Sequence, residues 1–153
     1  MTIEDDIAFL ERIPILRRLG APALRILAIG TEGYRVEPGQ VLFTAGDAAD
    51  CAYAVQEGSF ALRTERGEAE VIAGPGTLLG ESALLAETLR PATATAREPS
   101  AVLRISRAMF RKMLEGYPEA AHRLREVIAA RADQWAREME NVRDALAPRT
   151  KPK

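Results

Sequence analysis

The chain has 153 residues, 47% of them hydrophobic and 28% charged, with a formal net charge of −1 at pH 7. That length sets one domain as the expected count and allows a sizeable core. Near-zero charge argues against a chain dominated by nucleic-acid binding, and a single cysteine (Cys51) with a single histidine (His122) excludes an intrachain disulfide framework, a cysteine zinc cluster and most histidine metal sites.

The first segment, MTIEDDIAFLERIP, is acidic, which is not a secretory pattern. No apolar run reaches the roughly 18 residues of a membrane span, so the expectation is a cytoplasmic protein with no membrane segment. Thr2 with Asp5 has the spacing of a capping box, and Ile3, Ile7 and Leu10 share one helical face until Pro14 breaks the run. A second short helix is expected over Ala21–Ala28, ended by Gly30. Residues 2–30 therefore read as helical.

Residues 31–105 have a different texture. Nine of the eleven glycines fall between Gly30 and Gly80. Short alternating segments carry Val41, Phe43 and Ala45, then Cys51, Tyr53 and Val55, then Phe60 and Leu62, and finally Ala101, Leu103 and Ile105. Turns are marked by Pro38-Gly39, Gly46-Asp47, Glu57-Gly58, Arg66-Gly67 and Gly74-Pro75-Gly76. Strands at this spacing, with no helix-length segments between them, predict an antiparallel sandwich or barrel. Cys51 reads as a wall residue of that barrel.

Residues 106–147 return to a helical pattern. Ser106 is an N-cap candidate, Met109, Phe110, Met113 and Leu114 form an apolar stripe, and Gly116 ends it. Pro118 suits the first turn of a further helix. Within that helix Ile128, Ala132, Trp135, Met139, Val142 and Leu146 make a heptad seam. The seam suits packing on its own barrel or pairing with a second copy, and a homodimer through 128–146 is the favoured expectation. His122 reads as a solvated helix residue. Residues 148–153 form a basic, flexible tail. The whole divides into one domain over 1–147 and that tail.

The stretch LGESALLAETLRPATATA, Leu79–Ala96, carries the chemistry. Gly80 permits close backbone approach or an unusual φ. Ser82–Leu85 reads as one helical turn whose unpaired amides favour an anion. Arg90, at the edge of the next strand over Ala92–Ala96, can fork two hydrogen bonds onto a phosphate. Glu81 is acceptor-only and suits a sugar hydroxyl. Together they suggest a phosphorylated sugar as ligand.

Gly80-Glu81-Ser82-Ala83-Leu84 followed by Arg90-Pro91-Ala92-Thr93 resembles the phosphate-binding cassette of cyclic nucleotide-binding domains. Pro38–Phe43, Gly46-Asp47 and Tyr53–Gly58 are similar to that family's early strands and turns. The resemblance covers residues 9–146. It implies a mainly β fold, an eight-stranded antiparallel jelly-roll β-barrel with N-terminal helices and two C-terminal helices. It implies that Arg90 binds the cyclic phosphate, that the Ala83 amide donates to a phosphate oxygen, and that Glu81 accepts from the ribose 2′-hydroxyl. Gly80 would leave room for the ligand, with Ser82, Pro91 and Thr93 completing the cassette. A residue of the last helix would close over the base. Trp135 is the candidate lid, although its place in the seam favours dimer or helix packing.

Three departures stand out. Leu79 replaces a frequent phenylalanine, and Ser82 replaces an apolar residue. Pro91 has no amide hydrogen where the family commonly donates one to the phosphate. Loss of a charge-assisted bond costs about 1.5–3 kcal/mol, or roughly tenfold to hundredfold in affinity. Pro91 also lacks the hydroxyl of guanine-preferring members, so cAMP is expected over cGMP.

The resulting expectation is a non-enzymatic sensor module that signals to an unknown effector protein by moving its C-terminal helices. The alternative is a degenerate cyclic nucleotide-binding fold that acts in dimerisation or partner docking without ligand. A metal-dependent barrel enzyme is disfavoured because residues 31–105 contain no histidine. After Leu146 only APRTKPK remains, too short for a helix-turn-helix, so direct DNA binding is not expected.

Overall fold

The computed structural model describes residues 2–64, 70–127 and 129–130. Three helices open the chain. Helix α1 (Ile3–Leu10) carries the expected capping box, with the Thr2 hydroxyl accepting from Asp5 N–H and the Asp5 carboxylate accepting from Thr2 N–H. Pro14 does more than break this helix. It occupies the first turn of a short second one, α2 (Pro14–Arg17), where its missing N–H costs nothing. Helix α3 (Ala21–Ile29) ends on Gly30 as expected.

Ten strands follow: β1 (Glu32–Val36), β2 (Val41–Phe43), β3 (Ala48–Ala49), β4 (Cys51–Glu57), β5 (Phe60–Arg63), β6 (Glu70–Ala73), β7 (Leu78–Leu79), β8 (Thr88–Leu89), β9 (Thr93–Ala96) and β10 (Ser100–Ser106). They form two four-stranded antiparallel sheets, ordered β1-β10-β4-β7 and β2-β9-β5-β6, and a two-stranded ribbon, β3-β8. This corrects the expected eight-stranded barrel. The strand count among the described residues is ten, and the sheets are not closed into a barrel. The reason lies in the short pairs. Strands β3, β7 and β8 hold two residues each, too few to carry a continuous ladder from one sheet to the other.

The first sheet is the middle layer of the molecule. Its strand β4 is buried on both faces, with Ala52 and Ala54 facing the helices and Val55 facing the second sheet. Strand β10 repeats the arrangement, with Leu103 and Ile105 on the helical side and Val102 on the other. The helical side is filled by Leu10, Leu16, Leu24, Leu27, Phe110 and Met113. The inter-sheet side is filled by Val36, Val55, Phe60, Ala94 and Val102. Hence the alternation in β4 sorts residues between two cores rather than between core and solvent.

Helix α4 (Arg107–Gly116) starts at Ser106, whose hydroxyl accepts from Met109 N–H at 3.1 Å. Phe110 and Met113 are buried and Met109 and Leu114 partly so, which matches the expected stripe. Residues 118–127 are helical again. Their Ala120 and Leu124 join the helical core, and Arg123 donates to the carbonyls of Arg18 (2.7 Å) and Leu19 (3.0 Å) at the end of α2. His122 is exposed beside Glu126, as expected of a solvated position. The Arg66-Gly67 turn, the 128–146 seam with Trp135, and the tail at 148–153 lie outside the described residues.

Candidate functional site

Two backbone hydrogen bonds extend the β3-β8 ribbon by one step. Arg90 N–H donates to Asp47 O at 2.8 Å, and Gly46 N–H donates to Arg90 O at 2.8 Å. The Gly46-Asp47 turn therefore grips Arg90 by its backbone. Its side chain turns inward and is only 5% exposed.

The guanidinium lies 4.4 Å from the Phe43 ring centroid and 5.7 Å from that of Tyr53. These rings are stacked at 6.0 Å and 21°. Arg90 Nη2 lies 3.3 Å from Cys51 Sγ. Nη1 is buried and has no hydrogen-bond partner among the described residues. Among the described residues the guanidinium meets the Cys51 sulfur and the two aromatic rings. Cation–π contact with two rings is favourable by about 0.5–2 kcal/mol, while a buried unpaired charged donor costs more than the neutral range of about 1–3 kcal/mol. An anion reaching Nη1 would supply the acceptor that this atom lacks among the described residues.

Tyr53 stays neutral in this setting. Burial raises its hydroxyl from the ordinary 10.0 to about 12, with the Cys51 thiol adding to the rise and Arg104 and Arg90 opposing it. A tyrosinate here would have neutralised the arginine; the neutral phenol leaves its charge intact.

Gly80 faces the guanidinium. Its φ is +76°, and a Cβ at this position would sit 2.3 Å from Arg90 Nη1 and 3.6 Å from Cys51 O. Glycine is needed here twice over, for a left-handed backbone and for the close approach. After it comes a 3-10 helix over Glu81–Leu84, one residue earlier and more tightly wound than the expected turn. Ala83 and Leu84 are buried, Glu81 is half-buried and Ser82 is exposed. The exposure of Ser82 explains how a hydroxyl is accommodated where an apolar residue was expected. Ala83 N–H, expected to face a phosphate, donates instead to Gly80 O at 3.0 Å.

Pro91 is exposed and follows Arg90 in a bend. The Thr93 hydroxyl accepts from Ala45 N–H at 2.9 Å, so it braces β9 against the loop after β2. The fold thus brings together Gly80, Arg90 and the cassette turn, with Pro91 and Thr93 along the strand that follows. Trp135 lies outside the described residues. Phe43, Tyr53 and Cys51 entered the sequence reading as alternating strand positions, with Cys51 as a wall residue. Their period-2 spacing marked them as buried, but nothing local marked them as the surroundings of an arginine 37 or more residues away. Among the described residues no group of three histidine, cysteine or acidic side chains is placed to hold a metal. Among them, too, no helix is long and apolar enough to cross a membrane.

Two antiparallel sheets, a glycine-led 3-10 turn and an inward arginine make a mainly β domain with a buried cation. A family model for the cyclic nucleotide-binding domain matches residues 34–117. A cyclic nucleotide-binding-like protein from Brucella abortus is 38% identical, with a TM-score of 0.65 over 72% of this chain and 98% of that one. The catabolite activator protein of Thermus thermophilus is 27% identical, with a TM-score of 0.69 over 84% of this chain and 62% of that one. A cAMP-dependent protein kinase regulatory subunit from Yarrowia lipolytica is 36% identical over 108 residues, 69% of this chain. The chain spans 28% of the length of that subunit and 54% of the Thermus thermophilus cyclic AMP receptor protein. The chain belongs to the cyclic nucleotide-binding domain family.

Proposed function

We propose that this domain is a sensor for cyclic nucleotides, with cAMP preferred over cGMP, and that it signals by moving its C-terminal helices. The observation that carries the reading is the buried Arg90 guanidinium, which keeps an unpartnered Nη1 and its full charge beside Gly80. A cyclic phosphate is a monoanion that fills both deficits. In the proposed complex Glu81 accepts from the ribose 2′-hydroxyl, Thr93 and Ser82 flank the phosphate, and Pro91 contributes no donor. Ala83 N–H exchanges its bond to Gly80 O for a phosphate oxygen, which shifts the cassette turn. Two relatives are named for cAMP, a kinase regulatory subunit and a receptor protein, and this supports the choice of ligand.

The proposal extends to a cytoplasmic homodimer formed through the 128–146 seam, with Trp135 as a lid over the base. The output passes to an effector protein rather than to DNA or a membrane, and the domain performs no catalysis. Native mass spectrometry for a bound nucleotide, then calorimetric titration with cAMP and cGMP, tests the reading. Cyclic AMP is expected to bind more tightly and to raise the melting temperature. Equal or tighter cGMP binding refutes the preference. No response at millimolar cAMP refutes the sensor reading in favour of a docking module that has kept the fold without the ligand.

A further inference from the structure

The anion anchor and the C-terminal helices are joined by one side chain that the cassette motif does not include. Arg107 is the first residue of α4. Its backbone N–H donates to Asp50 O at 2.8 Å, next to β4. Its Nε donates to Ala83 O at 2.7 Å, in the cassette turn. Its Nη2 donates to Ala49 O, in the strand whose ribbon partner leads into Arg90. Ala49 and Ala83 are both buried, so these carbonyls have little access to solvent. The arginine therefore ties three elements at one point: the ribbon that holds Arg90, the turn that opens with Gly80 and Glu81, and the first turn of α4.

The geometry points to Arg107 as a positioning residue that makes the cassette turn and the start of α4 move as one body. Its reach explains the choice of residue. A guanidinium offers donors on different edges of one rigid plane, so Nε and Nη2 fix Ala83 and Ala49 relative to each other as well as to α4. A lysine has one charged centre and cannot hold two carbonyls at a set angle. The charge also lies at the edge of a cleft of about 590 Å³ lined in part by Asp50, Glu87 and Thr88, so the head group is not sealed in. A substitution there opens the site to water rather than leaving a void. Motion then has a defined route. A shift of Ala83 on anion capture pulls on Arg107, and α4 passes it to residues 118–127, which Arg123 holds on the end of α2.

This rests on Arg90 being the anion anchor, and the test separates the two. Amide hydrogen exchange on the full chain is compared for the wild type, Arg107→Gln and Arg107→Lys, without nucleotide and with cAMP. In the free protein Arg107→Gln is expected to speed exchange about tenfold or more in both 81–86 and 107–111, the size expected for losing charge-assisted bonds. Arg107→Lys, which keeps the charge but gathers its donors on a single nitrogen, is expected to be intermediate, and it serves if the glutamine variant fails to fold. With cAMP, the wild type changes protection in 81–89 and in 107–127. Arg107→Gln changes it in 81–89 alone. Unaltered exchange in the free variants, or an undiminished cAMP response over 107–127, overturns the role of Arg107. A wild type that binds no cAMP overturns the sensor reading instead, and the free-protein comparison still decides the tether.

Discussion

Replacing Arg90 with methionine separates what the residue does for the fold from what it does for a ligand. The side chain is 5% exposed, and its Nη1 has no hydrogen-bond partner among the described residues. The loss side of the substitution is the cation–π contact with Phe43 and Tyr53, about 0.5–2 kcal/mol, and one weak bond to the Cys51 sulfur. The gain side is larger. Burying an uncompensated charge costs several kcal/mol, and exchanging buried ionic groups for apolar ones of similar volume is neutral to stabilising by about 1–4 kcal/mol. Methionine is long, unbranched and able to lie against the two rings. Arg90→Met is therefore expected to stabilise the ligand-free protein by about 1–3 kcal/mol, a rise of roughly 3–10 °C in melting temperature for a chain of this size. The same change removes the anion anchor. Wild type at a hundredfold excess of ligand over Kd gains about 2.7 kcal/mol from binding, and the variant is expected to gain none. Differential scanning fluorimetry with and without cAMP reads both effects. A variant that melts below the ligand-free wild type refutes the claim that the guanidinium is an uncompensated buried charge. A ligand shift that survives the substitution refutes Arg90 as the anchor.

Three further outcomes follow from the same geometry. Gly80→Ala places a methyl 2.3 Å from Arg90 Nη1 at a φ of +76°. It is expected to cost at least about 1 kcal/mol in stability and to weaken cAMP binding by tenfold or more, read by thermal melting and calorimetry. Pro91→Ala restores an amide donor beside the anchor, and cAMP affinity is expected to rise by about tenfold; unchanged affinity would mean that the phosphate never reaches this position. Tyr53 titrates at about 12 in the folded chain against an ordinary 10.0, so between these pH values the unfolded state gives up a proton that the folded state keeps. Stability contributed by this group is complete below pH 10 and falls as pH rises towards 12. Melting curves from pH 9 to 11 are expected to drop more steeply for the wild type than for Tyr53→Phe, and parallel curves would contradict the assignment.

Much of the architecture was legible because its causes are local. The Thr2 and Asp5 side chains reach only three residues to close their capping box, and Ser106 does the same for Met109. Gly80 opens the cassette turn at a φ of +76°, a backbone conformation that one residue type satisfies, whereas Gly30 ends α3 at an ordinary φ of −90°. Alternation marked β4, β5 and β10 for the same reason, since side chains on an extended backbone point to opposite faces. Local pattern misled where a segment was too short to carry one. Strands β3, β7 and β8 hold two residues each, and α2 holds four, so no period exists to be read.

By itself the sequence determined a β domain flanked by helices, and its resemblance to a phosphate-binding cassette singled out Gly80, Glu81 and Arg90. The tertiary structure decided what surrounds that arginine. Cys51 and Tyr53 come from β4, Phe43 from β2 and Gly80 from the end of β7, and they meet only because ribbon and sheets fold Arg90 inward. It also decided that β4 and β10 face two cores, since an apolar position carries no label for which core it enters. The link from Ala83 through Arg107 to α4 is of the same kind, spanning 24 residues of chain. Contacts between distant segments are fixed by packing and by the need to satisfy buried polar groups, and neither leaves a period in the chain that makes them.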